Sequence, residues 1–311
     1  MNIVTDTAIK SATDSINQVL SGALHTPVVK AFFDAATNTF SYVVHCPVTR
    51  SAAIIDSVLD YDAAAGRTTY TSAQHIIDYV RAAGLEVQWQ LETHVHADHL
   101  SAAPWLQEKL GGRLGIGAEI IRVQNVFGKI FNAGSCFARD GSQFDVLFRD
   151  GQQLELGTLS ITALHLPGHT PADMAYVIGD AVFVGDTIFM PDFGTARADF
   201  PGGDARQLFR SIQRLLTLPP DTTLYLCHDY KAPGRDEFCG KTTVRDERDG
   251  NIHVQEGVSE ESFVKMRTER DASLSMPKLL MPSVQVNMRG GHLPEPESDG
   301  VSYIKIPINK V

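Results

Sequence analysis

The 311-residue chain has few cysteines, no excess of basic charge and no long apolar run. Each shortage removes a class of function. The four cysteines, Cys46, Cys136, Cys227 and Cys239, stand far apart with no C-x-x-C pair, so neither a cysteine-based zinc site nor a disulfide framework is expected. Reduced thiols fit a cytoplasmic location. Lysine and arginine number 27 against 37 acidic residues, a net charge of −10, which leaves no footprint for nucleic acid or for an anionic membrane surface. No stretch approaches the ~20 apolar residues of a spanning helix. Met1 to Leu20 carries Asp6, Lys10 and Asp14 and lacks the apolar region of a secretory leader.

What is present is ordinary globular composition, 43% hydrophobic and 21% charged, on a chain long enough for one large core with appendages. Residues 1–23 have helical periodicity but polar character, and are expected to form a peripheral extension. Val28–Phe33, Thr39–Cys46 and Ser51–Asp56 read as strands between Asn/Asp and Pro turns. An amphipathic helix is expected over Thr71–Ala83, stopped by Gly84. A strand follows over Glu86–Leu91, then a helix capped by Ser101 that runs to Leu110. Short strands recur between Val146 and Phe183, and a helix follows over Ala205–Leu216. Both halves thus run strands first, then helix, which predicts an α/β four-layer αββα sandwich. The core is expected over 24–230. Residues 231–311 are expected to wrap back over it and shape a substrate pocket, with a loop at 242–249, a helix at 263–270 and strand alternation at 300–307.

Thr93-His94-Val95-His96-Ala97-Asp98-His99 places three imidazoles and a carboxylate at the end of a predicted strand. Imidazole and carboxylate together suit zinc or iron. Three further strand ends offer His169 in a Pro-Gly turn, Asp186, and His228. Converging on one edge of a sandwich, these residues enclose a metal. Cys227 is read as a packed small hydrophobe, pointing away from His228 by strand alternation. His165, His25, His45, His75, His253 and His292 are read as structural.

The pattern H-x-H-x-D-H at His94–His99, followed by His169, Asp186 and His228, resembles the metallo-β-lactamase superfamily over about Val28 to Tyr230. Within it the chain looks most like the persulfide dioxygenases and the bacterial β-lactamase-like hydrolases grouped with them. The segments that carry this are Ile54-Ile55-Asp56, Glu92-Thr93-His94, Gly185-Asp186-Thr187, Arg197-Ala198-Asp199-Phe200, His228-Asp229-Tyr230, Thr243-Val244 with Glu247-Arg248, and Val286-Asn287-Met288-Arg289. The resemblance implies the metallo-β-lactamase sandwich and one Fe(II) per chain on His94, His169 and Asp186. It also implies oxidation of glutathione persulfide, or a related small persulfide, by O2 to sulfite and thiol, as in sulfide detoxification. His96, Asp98, His99 and His228 would then orient ligands, or hold a second metal as in hydrolytic relatives. Arg197 and Tyr230 map to positions that contact the glutathione moiety, while Arg289 is placed either at the substrate or in a structural ion pair. The stretch Lys231–Lys241 is longer than in compact family members, so the thiol pocket is expected to differ in shape.

Two other readings compete. A dinuclear Zn(II) thioester hydrolase of the glyoxalase II type uses seven ligand positions, all present here, with one or two Zn(II) per chain. A non-catalytic metal-dependent redox sensor is the reading from another class. The expected partners are a small thiol persulfide and O2, and a homodimer.

Overall fold

The computed structural model describes residues 6–310. The first half supplies β1 (Val28–Asp34), β2 (Thr39–His45), β3 (Ser51–Ile55), β4 (Val58–Asp62), β5 (Arg67–Thr69), β6 (Glu86–Leu91), β7 (Leu100–Ser101), β8 (Arg113–Gly117) and β9 (Val146–Phe148). The second half supplies β10 (Gln153–Leu156), β11 (Leu159–His165), β12 (Met174–Ile178), β13 (Ala181–Phe183), β14 (Thr223–Tyr225) and β15 (Lys241–Thr243). One six-stranded sheet runs β1-β2-β3-β6-β8-β9, the other β10-β11-β12-β13-β14-β15, and β5-β4-β7 form a small third sheet.

Alternation along the central strands explains the layering. Tyr42 and Val44 face the second sheet, meeting Ile161, Tyr176 and Phe183, whereas Val43 faces outward. A strand buried on both faces loses the apolar-polar alternation and reads as a continuous apolar run. Outside the first sheet lie α2 (Thr71–Ala82) and α3 (Ala103–Leu110), with Ile76, Ile77, Val80 and Leu106 against Val43 and Ile54. Farther along that side, α4 (Ile120–Ile130) packs with α8 (Leu280–Asn287) through Val123, Phe127 and Val284. Outside the second sheet, α1 (Thr7–Leu20), α5 (Ala205–Leu215) and α7 (Glu260–Asp271) bury Ile16, Leu208, Ile212 and Phe263 against Leu164, Val177 and Val182. Helix, sheet, sheet, helix is the four-layer α/β sandwich expected.

Strand direction gathers the candidate ligand residues on one edge. β3, β6, β8 and β9 are parallel, so β6 ends where its neighbours end. In the second sheet β11 and β13 both run antiparallel to β12, and β14 is parallel to β13. The C-terminal ends of β11, β13 and β14 therefore share one edge. Backbone bonds from Met174 N to Thr93 O and from Phe40 N to Cys227 O tie the two sheets together there.

Several expectations change. The N-terminal segment is not peripheral: α1 inserts Ala12 and Ile16, both fully buried, into the outer layer of the second sheet. Residues 242–249 are not a loop, because Thr242 and Thr243 close the second sheet as β15 and Thr243 caps α6 (Val244–Gly250). The alternation at 300–307 produces no strand; Lys305 instead bonds through its backbone to the Gln285 side chain. Ser101 belongs to β7, with its Oγ accepting from Ala103 N at the start of α3. Among the described residues, no helix is long and apolar enough to cross a membrane.

Candidate metal centre

Each site residue leaves its strand end for a reason visible in the backbone. After β6 the chain bends at Thr93, whose N–H and hydroxyl both donate to the Asp56 carboxylate at 2.8 and 2.9 Å. Asp56 itself sits at the end of β3 with φ +50°, a conformation in which a short polar side chain is tolerated better than most. Beyond β11, Gly168 adopts φ +151°, and a Cβ there would meet Leu208 Cα at 2.3 Å. Glycine thus lets α5 pass directly against the turn that presents His169. Asp186 and His228 follow β13 and β14 by three residues each.

The side chains then converge as two sets. His94, His169 and Asp186 offer ligand atoms within 4.8 Å of one another, and so do His96, Asp98, His99 and His228. His94 Nε2 and His169 Nε2 stand 3.9 and 3.7 Å from Asp186 Oδ2. The other Asp186 oxygen lies 3.3 Å from His228 Nε2, which is 3.1 Å from Asp98 Oδ2, so Asp186 adjoins both sets. His94 Nε2, His96 Nδ1, Asp98 Oδ2, His99 Nε2, Asp186 Oδ1 and His228 Nε2 are all buried without a hydrogen-bond partner. Buried polar atoms are nearly always paired. Orphans that all belong to metal-ligating groups and converge on one place fit a metal centre, so the donor set matches the chemistry.

The far side of each ring is occupied, which fixes its orientation. His94 Nδ1 is 3.0 Å from Thr93 Oγ1, and His169 Nδ1 donates to Arg197 O at 2.8 Å. His96 Nε2 lies 3.0 Å from Asp56 and 3.3 Å from Glu92. His99 Nδ1 and His228 Nδ1 share Thr39 Oγ1 at 3.4 and 3.3 Å, and His228 also faces Asn38 O. Outer partners of this kind select the tautomer of a ligating imidazole. Burial, reinforced by the neighbouring imidazoles, holds His94 well below the usual histidine range and so keeps it neutral. For His96 burial is the largest single influence and acts in the same direction, but the Asp56 carboxylate, together with Cys227 and Glu92, outweighs it and raises the ring well above that range.

Asn287 makes the contact that the tail signature foreshadowed. Its Nδ2 donates to His96 O at 2.9 Å and His99 O at 2.8 Å, while its Oδ1 accepts from Ser101 N. Arg289, expected either at the substrate or in a structural ion pair, is in neither place among the described residues: it donates to Gln285 O, stacks over Phe137 at 4.4 Å and lines a separate depression. Its charge serves the C-terminal end of α8. Cys227 also departs from expectation. β14 stops at Tyr225, so strand alternation no longer separates Cys227 from His228, and its sulfur lies within 4.8 Å of ligand atoms of Asp186 and His228.

A cavity of about 990 Å³ opens over the centre, lined by Asp98, His169, Asp186, Phe189, Phe193 and Phe200, among others. Tyr230 lines it, its ring 5.8 Å from His228 and 5.1 Å from Phe193. Arg197 lines it too, but its guanidinium is engaged by Asp199 at 2.6 and 2.7 Å and by Ser275 O at 2.8 Å. Arg270 and Lys278, from α7 and the stretch after it, line the cavity without an ion-pair partner among the described residues. The 231–241 stretch is pinned by Arg235, which bonds both Asp229 and Asp192, and contributes no residue to the cavity lining. Thr39, Asp56, Glu92 and Asn287 were not singled out by role in the sequence, although three of them fall in the segments that carried the resemblance.

Comparison with known proteins agrees with this picture. A family model described as the metallo-beta-lactamase superfamily matches residues 35–228. A probable metallo-hydrolase of Burkholderia pseudomallei is 57% identical over 91% of this chain and 99% of its own length. A Dictyostelium discoideum protein named glyoxylase B2 is 45% identical over 90% of this chain and 97% of its own. The human mitochondrial persulfide dioxygenase ETHE1 is 27% identical, over 85% of this chain and 89% of its own. Among solved structures, ETHE1 from Myxococcus xanthus superposes with a TM-score of 0.68 at 30% identity, covering 85% of this chain and all of that one.

Proposed function

The chain belongs to the metallo-beta-lactamase superfamily, and on that footing we propose that it is an iron-dependent persulfide dioxygenase. It would convert glutathione persulfide, or a related small persulfide, with O2 and water into sulfite, the free thiol and protons. The observation that carries the proposal is the His94–His169–Asp186 set. Two imidazole nitrogens and one carboxylate oxygen face one another beyond hydrogen-bonding distance, and His169 and Asp186 border the cavity. Fe(II) on such a two-histidine, one-carboxylate face would supply open positions for a sulfur ligand and O2.

The chain's own residues have definable parts in this reading. Thr93 and Arg197 O hold the His94 and His169 rings so that each Nε2 points inward. Phe189, Phe193 and Phe200 narrow the cavity with apolar surface and limit water near the reacting sulfur. Arg270 and Lys278 offer cationic donors for the carboxylates of a glutathione-like thiol, a role that paired Arg197 is poorly placed to fill.

A second reading, a dinuclear zinc thioester hydrolase, is favoured by one observation: His96, Asp98, His99 and His228 each leave a buried ligand atom without a hydrogen-bond partner, whereas in the first set only His94 and Asp186 do. The relatives' names, a metallo-hydrolase and a glyoxylase, lend it weight. The test is metal analysis of the protein as purified, with O2 uptake on glutathione persulfide and thioester hydrolysis measured in parallel. About one iron per chain with sulfite formed supports the proposal. Two zincs, thioester hydrolysis and no O2 consumption would overturn it.

A further inference from the structure

We propose that Arg267 and Asp271 of α7 are positioning residues for the metal ligand His169, acting through the backbone of residues 195–198. The proposal rests on the reading of His169 as a ligand. His169 Nδ1 donates to Arg197 O at 2.8 Å, so the place of that carbonyl sets the direction of Nε2. The carbonyl lies in an irregular stretch after β13, with no ladder partner of its own beyond one bridge between Ile188 and Thr195.

What holds the stretch comes from α7. Arg267 Nη1 donates to Thr195 O at 3.0 Å, and Asp271 Oδ2 accepts from Ala198 N at 2.9 Å. These two bonds bracket Ala196 and Arg197. Arg267 and Asp271 are joined to each other, Nε to Oδ1, at 2.8 Å, one helical turn apart. Both are buried, at 1% and 4% exposure. The residues between α6 and α7 extend the same support: Asn251 Nδ2 donates to Gly194 O, and His253 Nδ1 accepts from Thr195 N. Gly194 has φ +101°, and a Cβ there would meet the His253 ring at 2.1 Å, so loop and tail are fitted closely.

A buried ion pair is weak evidence for stability, because desolvation of both charges offsets their attraction. Replacing such a pair with apolar side chains of similar volume is often neutral for folding. This separates positioning from mere packing. In the full chain loaded with zinc and challenged with a chromophoric chelator, Arg267→Met/Asp271→Leu should lose only modestly in thermal midpoint, through the Thr195 O and Ala198 N–H left without these partners, yet hold zinc roughly 10-fold more weakly, the low end of what loss of a ligand's outer support costs. Arg267→Lys keeps the charge but loses the fork that reaches Thr195 and Asp271 together, and should give a smaller loss in the same direction. Unchanged zinc affinity in whichever variant folds, or failure of both to fold, would overturn the proposal. His169→Ala is measured beside them. If it too holds the same number of zinc ions per chain at unchanged affinity, the reading of His169 as a ligand fails; if it alone loses zinc, only the positioning role fails.

Discussion

The two halves of the metal centre differ in where they face and in what holds them. His94, His169 and Asp186 come from three separate strand ends and border the cavity through His169 and Asp186. Their imidazoles lean on a hydroxyl and a backbone carbonyl, which are neutral partners. His96, Asp98 and His99 share one loop with each other, join His228, and touch the cavity through Asp98. Their supports are two carboxylates on His96, the Thr39 hydroxyl under His99 and His228, and Asn287 on the loop backbone. The half that faces the cavity is therefore the one with fewer anchors of its own, and α7 braces it from outside. The second half has more anchors, and its three imidazoles are fully buried, with Asp98 alone open to the cavity. In the proposed reading the first half, with two of its three groups on the cavity, is the one that meets the substrate.

The largest expected effect joins the halves. Asp186→Ala removes the carboxylate adjoining both sets and should abolish tight metal binding in each, read as metal content after dialysis. Next, Gly194→Ala should unseat the loop under His169 by driving a methyl into the His253 ring, at a cost on the order of 3 kcal/mol. Its melting midpoint should fall while the His96–His99 loop is untouched, whereas an unchanged midpoint would contradict the fit of loop to tail. Asn287→Ala sharpens the comparison from the other side. It should disturb the His96–His99 loop and leave the His169 half in place, giving a loss of activity within about tenfold if that half holds the working metal.

A further effect is one of pH. Burial raises the Glu247 carboxyl to about 8, and its Oε2 accepts from Asn251, which supports Gly194. A carboxyl raised on folding contributes stability below its unfolded value, and that contribution is lost as pH rises toward the folded one. Stability should thus decline between roughly pH 4.5 and 8 through this group, and Glu247→Gln should flatten that decline in denaturant titrations. His253 slopes the other way: burial lowers it to about 4, so its contribution is lost as pH falls below roughly 6.5. An unaltered pH profile in Glu247→Gln would show that the carboxyl is ionised in the folded protein.

Much of this was legible in the sequence because strand-end ligands follow simple rules. Period-two runs ending in His or Asp announced His94, His169, Asp186 and His228, and the sandwich followed from the order of strands and helices. The supports were not legible in role. Asp56 reaches His96 across 40 residues and Asn287 reaches the same loop across 191, distances that no local pattern encodes. The tail signature pointed to the right segment, yet charge drew attention to Arg289 when the amide beside it makes the contact. Cys227 was misplaced because alternation was extended two residues past the end of β14. Glu247 sat in a charged stretch read as loop, and only its burial in α6 distinguishes it from surface charge.

The most direct test sets His169→Ala beside His228→Ala and measures metal per chain and O2 consumption with glutathione persulfide in both. The first variant should lose its iron and its activity, while the second should keep its iron and most of its turnover. Equal loss of metal and activity in the two variants would contradict a single working ion in the half that faces the cavity.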